Sequence, residues 1–250
     1  SDVDPPSDTR HYLFASTQHG PGMLPLMDES VFGSHGGNCF NIVDYTPLMR
    51  AAVTNLLAWI ADGTEPPASA VPRHGEGTAA TRAAVLDQLG GIGPLVQPAP
   101  TGLWTLRPLD LGPRASRGIG RFPARPVGDA YPCLVSAVDE DGNELAGIRL
   151  PEVTVPVATH AGWNPRHPDS GAPDEILDYI GSTVPFALVP TSRAESDPRR
   201  SIAERYSDEA DYRRRVRDAA EALVAAGYLL AEDVDTCEHI SLRRYEVLTQ

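Results

Sequence analysis

The stretch RHYLFASTQHG, residues 10–20, decides how the fold is interpreted. Its aromatic and aliphatic run, Tyr12–Ala15, is followed by the polar pair Gln18 and His19 and then by the tripeptide GPG at residues 20–22. Apolar and aromatic residues followed by Gly and Pro are typical of a short β-strand that leads into a loop. The sequence therefore predicts a strand that delivers His19 into a loop, where a histidine can take part in chemistry.

A helix is predicted next, from Thr46 to Asp62. Asp44 offers a capping side chain, Pro47 suits the first turn, and Gly63 suits the end of the helix. Apolar residues recur at a spacing of three and four, which places them on one face: Met49, Ala52, Val53, Leu56, Leu57 and Ile60. We expect this face to pack against a sheet.

Residues 64–130 are rich in Pro, Gly and Ala and show little periodicity. We predict ordered coil, with one short helix over residues 81–89. The expectation of order rests on apolar residues that should anchor the coil in a core. These residues are Leu103, Trp104, Leu106 and Phe122.

Further along, the sequence predicts a β-hairpin. Residues 133–138 and 145–150 flank DEDGNE, in which Asp141 and Gly142 suit a hairpin turn. The following residues, 151–166, are interrupted by prolines and are expected to form an edge strand or a loop.

The C-terminal third is predicted to be helical. One helix begins at the capping residue Ser207 and ends at Gly227, and a second runs from about Glu232 to Leu248. Because the two follow each other at once, we expect a helical hairpin.

Charge and cysteine content limit the function classes. The 34 acidic residues exceed the 21 basic ones, all of them Arg, and give a formal net charge of -13. Such a surface repels phosphate backbones and anionic lipid, so nucleic acid and membranes are not expected partners. Cys39, Cys133 and Cys237 are too few and too far apart for a disulfide scaffold or a metal knuckle. We predict no metal and no cofactor.

The N-terminus shows no signal segment, and no apolar run approaches the roughly 18–20 residues of a membrane span. We expect a soluble chain, cytoplasmic or secreted after processing. Because it begins with Ser1 rather than Met, we also expect a processed, trimmed or partial chain.

Several motifs favour structural interpretations. In DEDGNE only Asp139 and Asp141 fit the ligand pattern of a calcium loop, and the later Glu is missing, so the turn is preferred. The basic run RRRVR at residues 213–217 lies beside acidic residues and indicates a solvated helix face. His35, His160 and His167 lack metal-ligand spacing and are expected to be structural or solvent-facing. No GxSxG serine elbow occurs in the chain.

Six segments together resemble a known family: RHYLFASTQHGPG, NCFN, YTPLMRAAVTNLLAWIADGTEPPASAVPR, DEDGNELAGIRLPEVTVPVATHAGWNPR, GSTVPFA and DPRRSIAERYSDEADYRRRVRDAAEALVAAGYLLAEDV. Their sequence and order are similar to the C-terminal part of a bacterial family of large α/β-hydrolase domain-containing proteins. The resemblance covers nearly the whole chain. One departure is His160, where relatives are expected to have Tyr.

The resemblance implies an α/β fold of which this chain is the C-terminal part. Residues 9–16 would be the last sheet strand, and His19 would be the catalytic base on the loop after it. The helix from Thr46 to Asp62 would cover the sheet. Residues 1–63 would then be the edge of the hydrolase core, and residues 64–250 a family-specific extension made of coil, β-hairpin and helical hairpin.

The same resemblance places the nucleophilic serine and the acid on an N-terminal hydrolase segment or chain, which would be this chain's partner. The implied activity is that of a carboxylesterase acting on a small acyl or ester substrate once the two parts are joined. Two alternatives remain open: His19 merely caps a strand, or the chain is a non-catalytic interaction or structural subunit.

Overall fold

The computed structural model describes residues 2–250, which form six helices and seven short strands within that range. The helices are α1 (Thr46–Asp62), α2 (Arg82–Gly90), α3 (Pro151–Thr154), α4 (Ile202–Arg205), α5 (Glu209–Ala225) and α6 (Val234–Thr249). The strands are β1 (Cys39–Phe40), β2 (Ala79–Thr81), β3 (Leu109–Asp110), β4 (Arg125–Pro126), β5 (Leu134–Ser136), β6 (Ala158–Ala161) and β7 (Ser182–Pro185). No helix in this part of the chain has the length and apolar content to cross a membrane.

The central sheet has three antiparallel strands in the order β1-β7-β6. Thr183 of the central strand β7 pairs with Cys39 of β1 on one side and with His160 of β6 on the other. β6 is therefore an edge strand, as predicted for this segment, although all four of its residues are buried. Two separate antiparallel pairs, β2-β5 and β3-β4, lie outside this sheet.

Three clusters of buried apolar side chains form the core. The first packs Val157 and Phe186, which adjoin β6 and β7, against Tyr212 and Val216 of α5. The second joins Val43 and Leu48 at the start of α1 to α5 and α6, and the third lies beneath α2. The C-terminal helical hairpin predicted from the sequence is confirmed, and its two helices have extensive mutual contact.

The prediction of a regular strand over residues 9–16 is wrong. The segment is extended but forms only isolated parallel bridges, Tyr12 with Ala70 and Phe14 with Ile148. Its neighbours on both sides are loops, so no continuous ladder develops. Ser16 then takes a positive φ of 58°, which ends the extended run.

The predicted hairpin over residues 133–150 is only partly formed. Its turn is confirmed, because Gly142 has a φ of 79° and donates its N–H to the carbonyl of Asp139. The two arms share a single bridge, Val138 with Glu144. The first arm, β5, pairs instead with β2. The short β2 segment, AAT, carries little strand signal, and this made the pairing invisible in the sequence.

Helix α1 has the predicted bounds, and Gly63 ends it in the left-handed conformation. Its burial differs from the expectation. The helix buries Pro47, Leu48 and Ala51, whereas its apolar face is exposed, from 46% at Met49 to 74% at Ile60. Within the described chain, no sheet covers this face.

Three of the four expected apolar anchors of the coil region are also wrong, whereas Leu103 is half-buried. Trp104 is 87% exposed and Phe122 is 98% exposed, and Leu106 is exposed as well. The predicted short helix is confirmed as α2. The coil is held instead by backbone hydrogen bonds, such as those of the β3-β4 pair, and these do not require apolar side chains. The division at residue 63 stays a prediction.

Candidate functional site

His19 lies on a loop at the surface, directly after the extended segment. Its N–H donates to the carbonyl of Tyr179 at 3.3 Å, and its own carbonyl accepts a hydrogen bond from the Tyr45 hydroxyl. The imidazole packs on the Tyr179 ring, with 4.5 Å between ring centroids. The backbone of His19 is thus fixed while its ring remains exposed.

The residues before His19 form a rigid base. Leu13 and Ala15 donate their N–H groups to the carbonyls of Ala70 and Ile148. The side chain of Gln18 accepts the N–H of Gly181 at 2.8 Å. This segment therefore bonds to neighbours on both sides, which limits the positions that His19 can take.

Ser16 and Glu144 bond to each other twice. The Ser16 N–H donates to the Glu144 carboxylate, and the Glu144 N–H donates to the Ser16 hydroxyl at 2.8 Å. Burial raises the pKa of Glu144, and the hydrogen bonds from Ser16 and from the Ser136 side chain oppose that rise. The pair fixes the strained Ser16 backbone three residues before His19.

The end of the His19 loop is tied to the C-terminal helix. Arg244 on α6 donates to the carbonyls of Ile42 at 2.7 Å and Gly22 at 3.3 Å. It also pairs with Glu152 at 2.8 Å, and both side chains are buried. Burial raises the pKa of Glu152 to about 7, although the Arg244 charge opposes this rise. The loop is therefore anchored at both ends.

The other histidines agree with their structural interpretation. His160 is buried on β6, and its Nδ1 lies 3.0 Å from the Thr183 hydroxyl. Burial lowers its pKa to about 3, so the ring is neutral at physiological pH. His35 and His167 stack at 3.8 Å between centroids. In residues 2–250, no group of three or more His, Cys, Asp or Glu could hold a metal ion.

The acidic turn and the basic run are structural, as predicted. In DEDGNE, Asp139 pairs with Arg149 at 2.5 Å, and Asp141 forms a bidentate pair with Arg205. Both carboxylates therefore have protein partners. The run RRRVR lies on α5 and pairs with acidic residues of α5 and α6 in an exposed network.

His19 lacks the other members of a catalytic triad within the described part of the chain. Its ring makes no hydrogen bond to a carboxylate or a hydroxyl there; its contact is the Tyr179 ring. Ser16 is the nearest serine in the sequence, but it is fully buried and its hydroxyl accepts the Glu144 amide. The described residues therefore present an exposed histidine with no serine nucleophile beside it.

Comparison with family models decides the identity. The model described as an alpha/beta hydrolase domain matches residues 1–239. The chain belongs to this α/β-hydrolase family. Membership points to hydrolase chemistry, and the mixed helices and strands of the hydrolase chain agree with the α/β class. Comparisons with curated proteins and with solved structures found no significant match.

Sequence reasoning missed a cavity beside the His19 segment. The cavity has a volume of about 350 Å³, and Glu144 and His160 lie in its wall. Local sequence places Glu144 in a turn and predicts a structural or solvent-facing role for His160. No local signal brings them together, because β5 and β6 meet the turn only in the folded chain.

Proposed function

We propose that this chain supplies His19 as the general base of a serine hydrolase that acts on carboxylic esters. The nucleophilic serine and the acid come from an N-terminal hydrolase segment, in the same polypeptide or in a partner chain. The substrate is a small acyl or ester compound. With a net charge of -13, the surface disfavours nucleic acid and anionic membranes as partners.

The placement of His19 carries the proposal. In the α/β-hydrolase fold the triad histidine follows the serine and the acid along the chain and lies on a loop. His19 lies on a loop after an extended segment, and its backbone is held by Tyr179 and Tyr45 while its ring is exposed. A triad base requires a fixed backbone and an accessible ring nitrogen.

The chemistry follows from that position. One imidazole nitrogen takes the proton from the serine hydroxyl as its oxygen attacks the ester carbonyl. The same proton then goes to the leaving alcohol, and a water molecule repeats the sequence on the acyl-enzyme to release the acid. Histidine suits both steps because imidazole ordinarily titrates near neutral pH.

The exposed face of α1 supports the need for a second segment. Met49, Val53, Leu56, Leu57 and Ile60 form a contiguous apolar stripe that is about half exposed or more. Exposed apolar patches of this kind mark interaction surfaces. A sheet that carries the serine elbow would cover this face and bring its hydroxyl toward His19.

The same apolar face also supports a second candidate function, a non-catalytic subunit that uses α1 for docking. The two functions differ at His19. In the first, the ring takes the proton of the serine; in the second, His19 only contributes contacts to Tyr179 and Tyr45.

The test is His19→Ala in the chain joined to its serine-bearing segment, assayed on a short activated ester. We expect kcat to fall by about 10³-fold or more with unchanged thermal unfolding, because loss of a triad member removes most of the catalysis. His35→Ala, a histidine stacked on His167 at another place, is the matched control and should retain activity. Activity of His19→Ala within tenfold of wild type would favour the non-catalytic subunit.

A further inference from the structure

A cavity of about 350 Å³ lies between α2 and the strands β5 and β6. Most of its wall is apolar. Helix α2 contributes Val85, Leu86 and Leu89, and the opposite side includes Val135, Val138 and Trp163. The volume and the apolar lining fall within the range of small-molecule sites. Since a cavity of about 150 Å³ holds benzene, this one holds about a dozen non-hydrogen atoms.

Four polar side chains interrupt the apolar wall: Arg82, Ser136, Glu144 and His160. Glu144 is unusual because it is largely buried and forms no salt bridge with a cation among residues 2–250. Burial, the Ser16 amide and the Ser136 hydroxyl are the influences on its pKa in the described chain. One carboxylate oxygen accepts the Ser16 N–H, and the Ser136 side chain also bonds to the carboxylate. A carboxylate has about four acceptor sites, so Glu144 keeps acceptor capacity in the cavity wall.

His160 adds a second polar group of a different kind. Its Nδ1 bonds to the Thr183 hydroxyl, and that hydroxyl also accepts the N–H of Ile42. The ring is neutral, so it adds no charge to offset Glu144. Arg82 also lines the cavity, but its guanidinium donates to the Leu103 carbonyl at 3.0 Å.

These groups select among ligands. The apolar wall favours a hydrocarbon chain or ring. The carboxylate of Glu144 needs a hydrogen-bond donor and repels an anion. A hydroxyl group meets both needs, because it donates to Glu144 and can accept from a ring N–H of His160. We propose that the cavity binds a small apolar alcohol, with its hydroxyl at Glu144 and its hydrocarbon part against α2.

The cavity also adjoins the segment that carries His19. Glu144 bonds to Ser16, and the Gly162 backbone lies so close to Thr17 that an added Cβ would be 2.8 Å from the Thr17 carbonyl oxygen. Alcohols are one product of ester hydrolysis, which agrees with the function proposed above. The binding proposal does not depend on it, since the test measures binding to this chain alone.

The probes are three molecules with the same phenylbutyl skeleton: 4-phenyl-1-butanol, butylbenzene and 4-phenylbutanoate. Isothermal titration calorimetry or ligand-observed NMR gives the dissociation constant of each for the 250-residue chain. We expect the alcohol to bind at least tenfold more tightly than butylbenzene and than the carboxylate. Tighter binding of the carboxylate would indicate that Arg82 controls the site and would overturn the proposal.

Two variants locate the binding. Leu86→Trp fills the cavity and should abolish binding of the alcohol, whereas Leu106→Trp, at an exposed position outside it, should not change binding. Glu144→Gln keeps an oxygen for the Ser16 amide, so the chain should fold. It removes the charged acceptor, so it should weaken binding of the alcohol about tenfold and leave the affinity for butylbenzene unchanged.

The outcomes are decisive even if Leu86→Trp does not fold. Saturable alcohol binding that Glu144→Gln weakens selectively supports the proposal. The proposal is overturned if wild type shows no saturable binding. It is also overturned if Glu144→Gln loses affinity for the alcohol and for butylbenzene equally. Unchanged alcohol affinity in a folded Leu86→Trp chain would place the binding elsewhere.

Discussion

Replacing His160 should change how the stability of the chain depends on pH. The ring lies buried on β6, bonded to Thr183, and burial lowers its pKa to about 3. In the unfolded chain its pKa is the ordinary 6.5. As pH falls below 6.5, the unfolded chain binds a proton at His160 that the folded chain does not, so this histidine makes folding less favourable at acid pH.

The size of the effect follows from the two pKa values. At pH 5 the unfolded imidazole is protonated, whereas the folded one stays neutral. The 1.5-unit interval between pH 5 and 6.5 corresponds to about 2 kcal/mol of unfolding free energy. His160→Asn should not lose this stability at acid pH. The amide retains a polar group near Nδ1 but cannot titrate.

The measurement is the difference between the two proteins. Glu152 acts in the opposite direction, because its pKa in the folded chain, about 7, exceeds the ordinary 4.5, so its contribution to stability falls as pH rises over that window. Wild type alone would show the two effects superimposed. The difference in unfolding free energy between wild type and His160→Asn cancels Glu152 and isolates His160.

Urea unfolding followed by tryptophan fluorescence at pH 5.0 and 7.5 provides the data. The stability of wild type relative to His160→Asn should fall by about 2 kcal/mol from the higher to the lower pH. His74→Asn, at an exposed position, checks that loss of a histidine alone does not produce the change. A wild-type-to-variant difference that is the same at both pH values would refute the assignment of His160 as a buried, neutral ring.

Two further substitutions test the turn and the Ser16 pair. Gly142→Ala should lower the free energy of unfolding by about 2–5 kcal/mol, because φ is positive and the new Cβ would lie 2.7 Å from Ile92 Cδ1 and 2.9 Å from Thr159 Cγ2. Gly33→Ala, also at positive φ but with open space around it, should lower it by about 1–2 kcal/mol. Equal losses in the two variants would contradict the packing argument. Ser16→Ala should cost about 1–3 kcal/mol in urea unfolding because the Glu144 amide loses its acceptor. Ser170→Ala, at an exposed site, should stay within about 0.5 kcal/mol of wild type, and a Ser16→Ala chain as stable as that control would show the bond to be unimportant.

Features encoded by neighbouring residues were predictable. The bounds of α1 follow from Pro47 and Gly63, and the turn at Gly142 follows from its Asp-Gly signal. The terminal helical hairpin follows from apolar periodicity. In each, the residues that determine the structure lie within a few positions of it, so no knowledge of the rest of the fold is needed.

Features that depend on distant contacts were not predictable. The exposure of Ile60 depends on what covers α1, and the exposure of Trp104 depends on where the coil lies. The cavity depends on Glu144 meeting Ser16, a contact across 128 residues. His19 was located from sequence as a loop residue, and its surroundings, Tyr179 and Tyr45, come from segments far away along the chain.

The Arg244 anchor has a consequence for biosynthesis. Its partners, the carbonyls of Ile42 and Gly22, precede it by 202 and 222 residues. A ribosome that adds about 5–20 residues per second leaves the interval between Ile42 and Arg244 open for about 10–40 s. During that time the His19 loop lacks its C-terminal tether, and contacts of such long sequence separation also form slowly. The nascent chain therefore completes this region only after α6 has been synthesised.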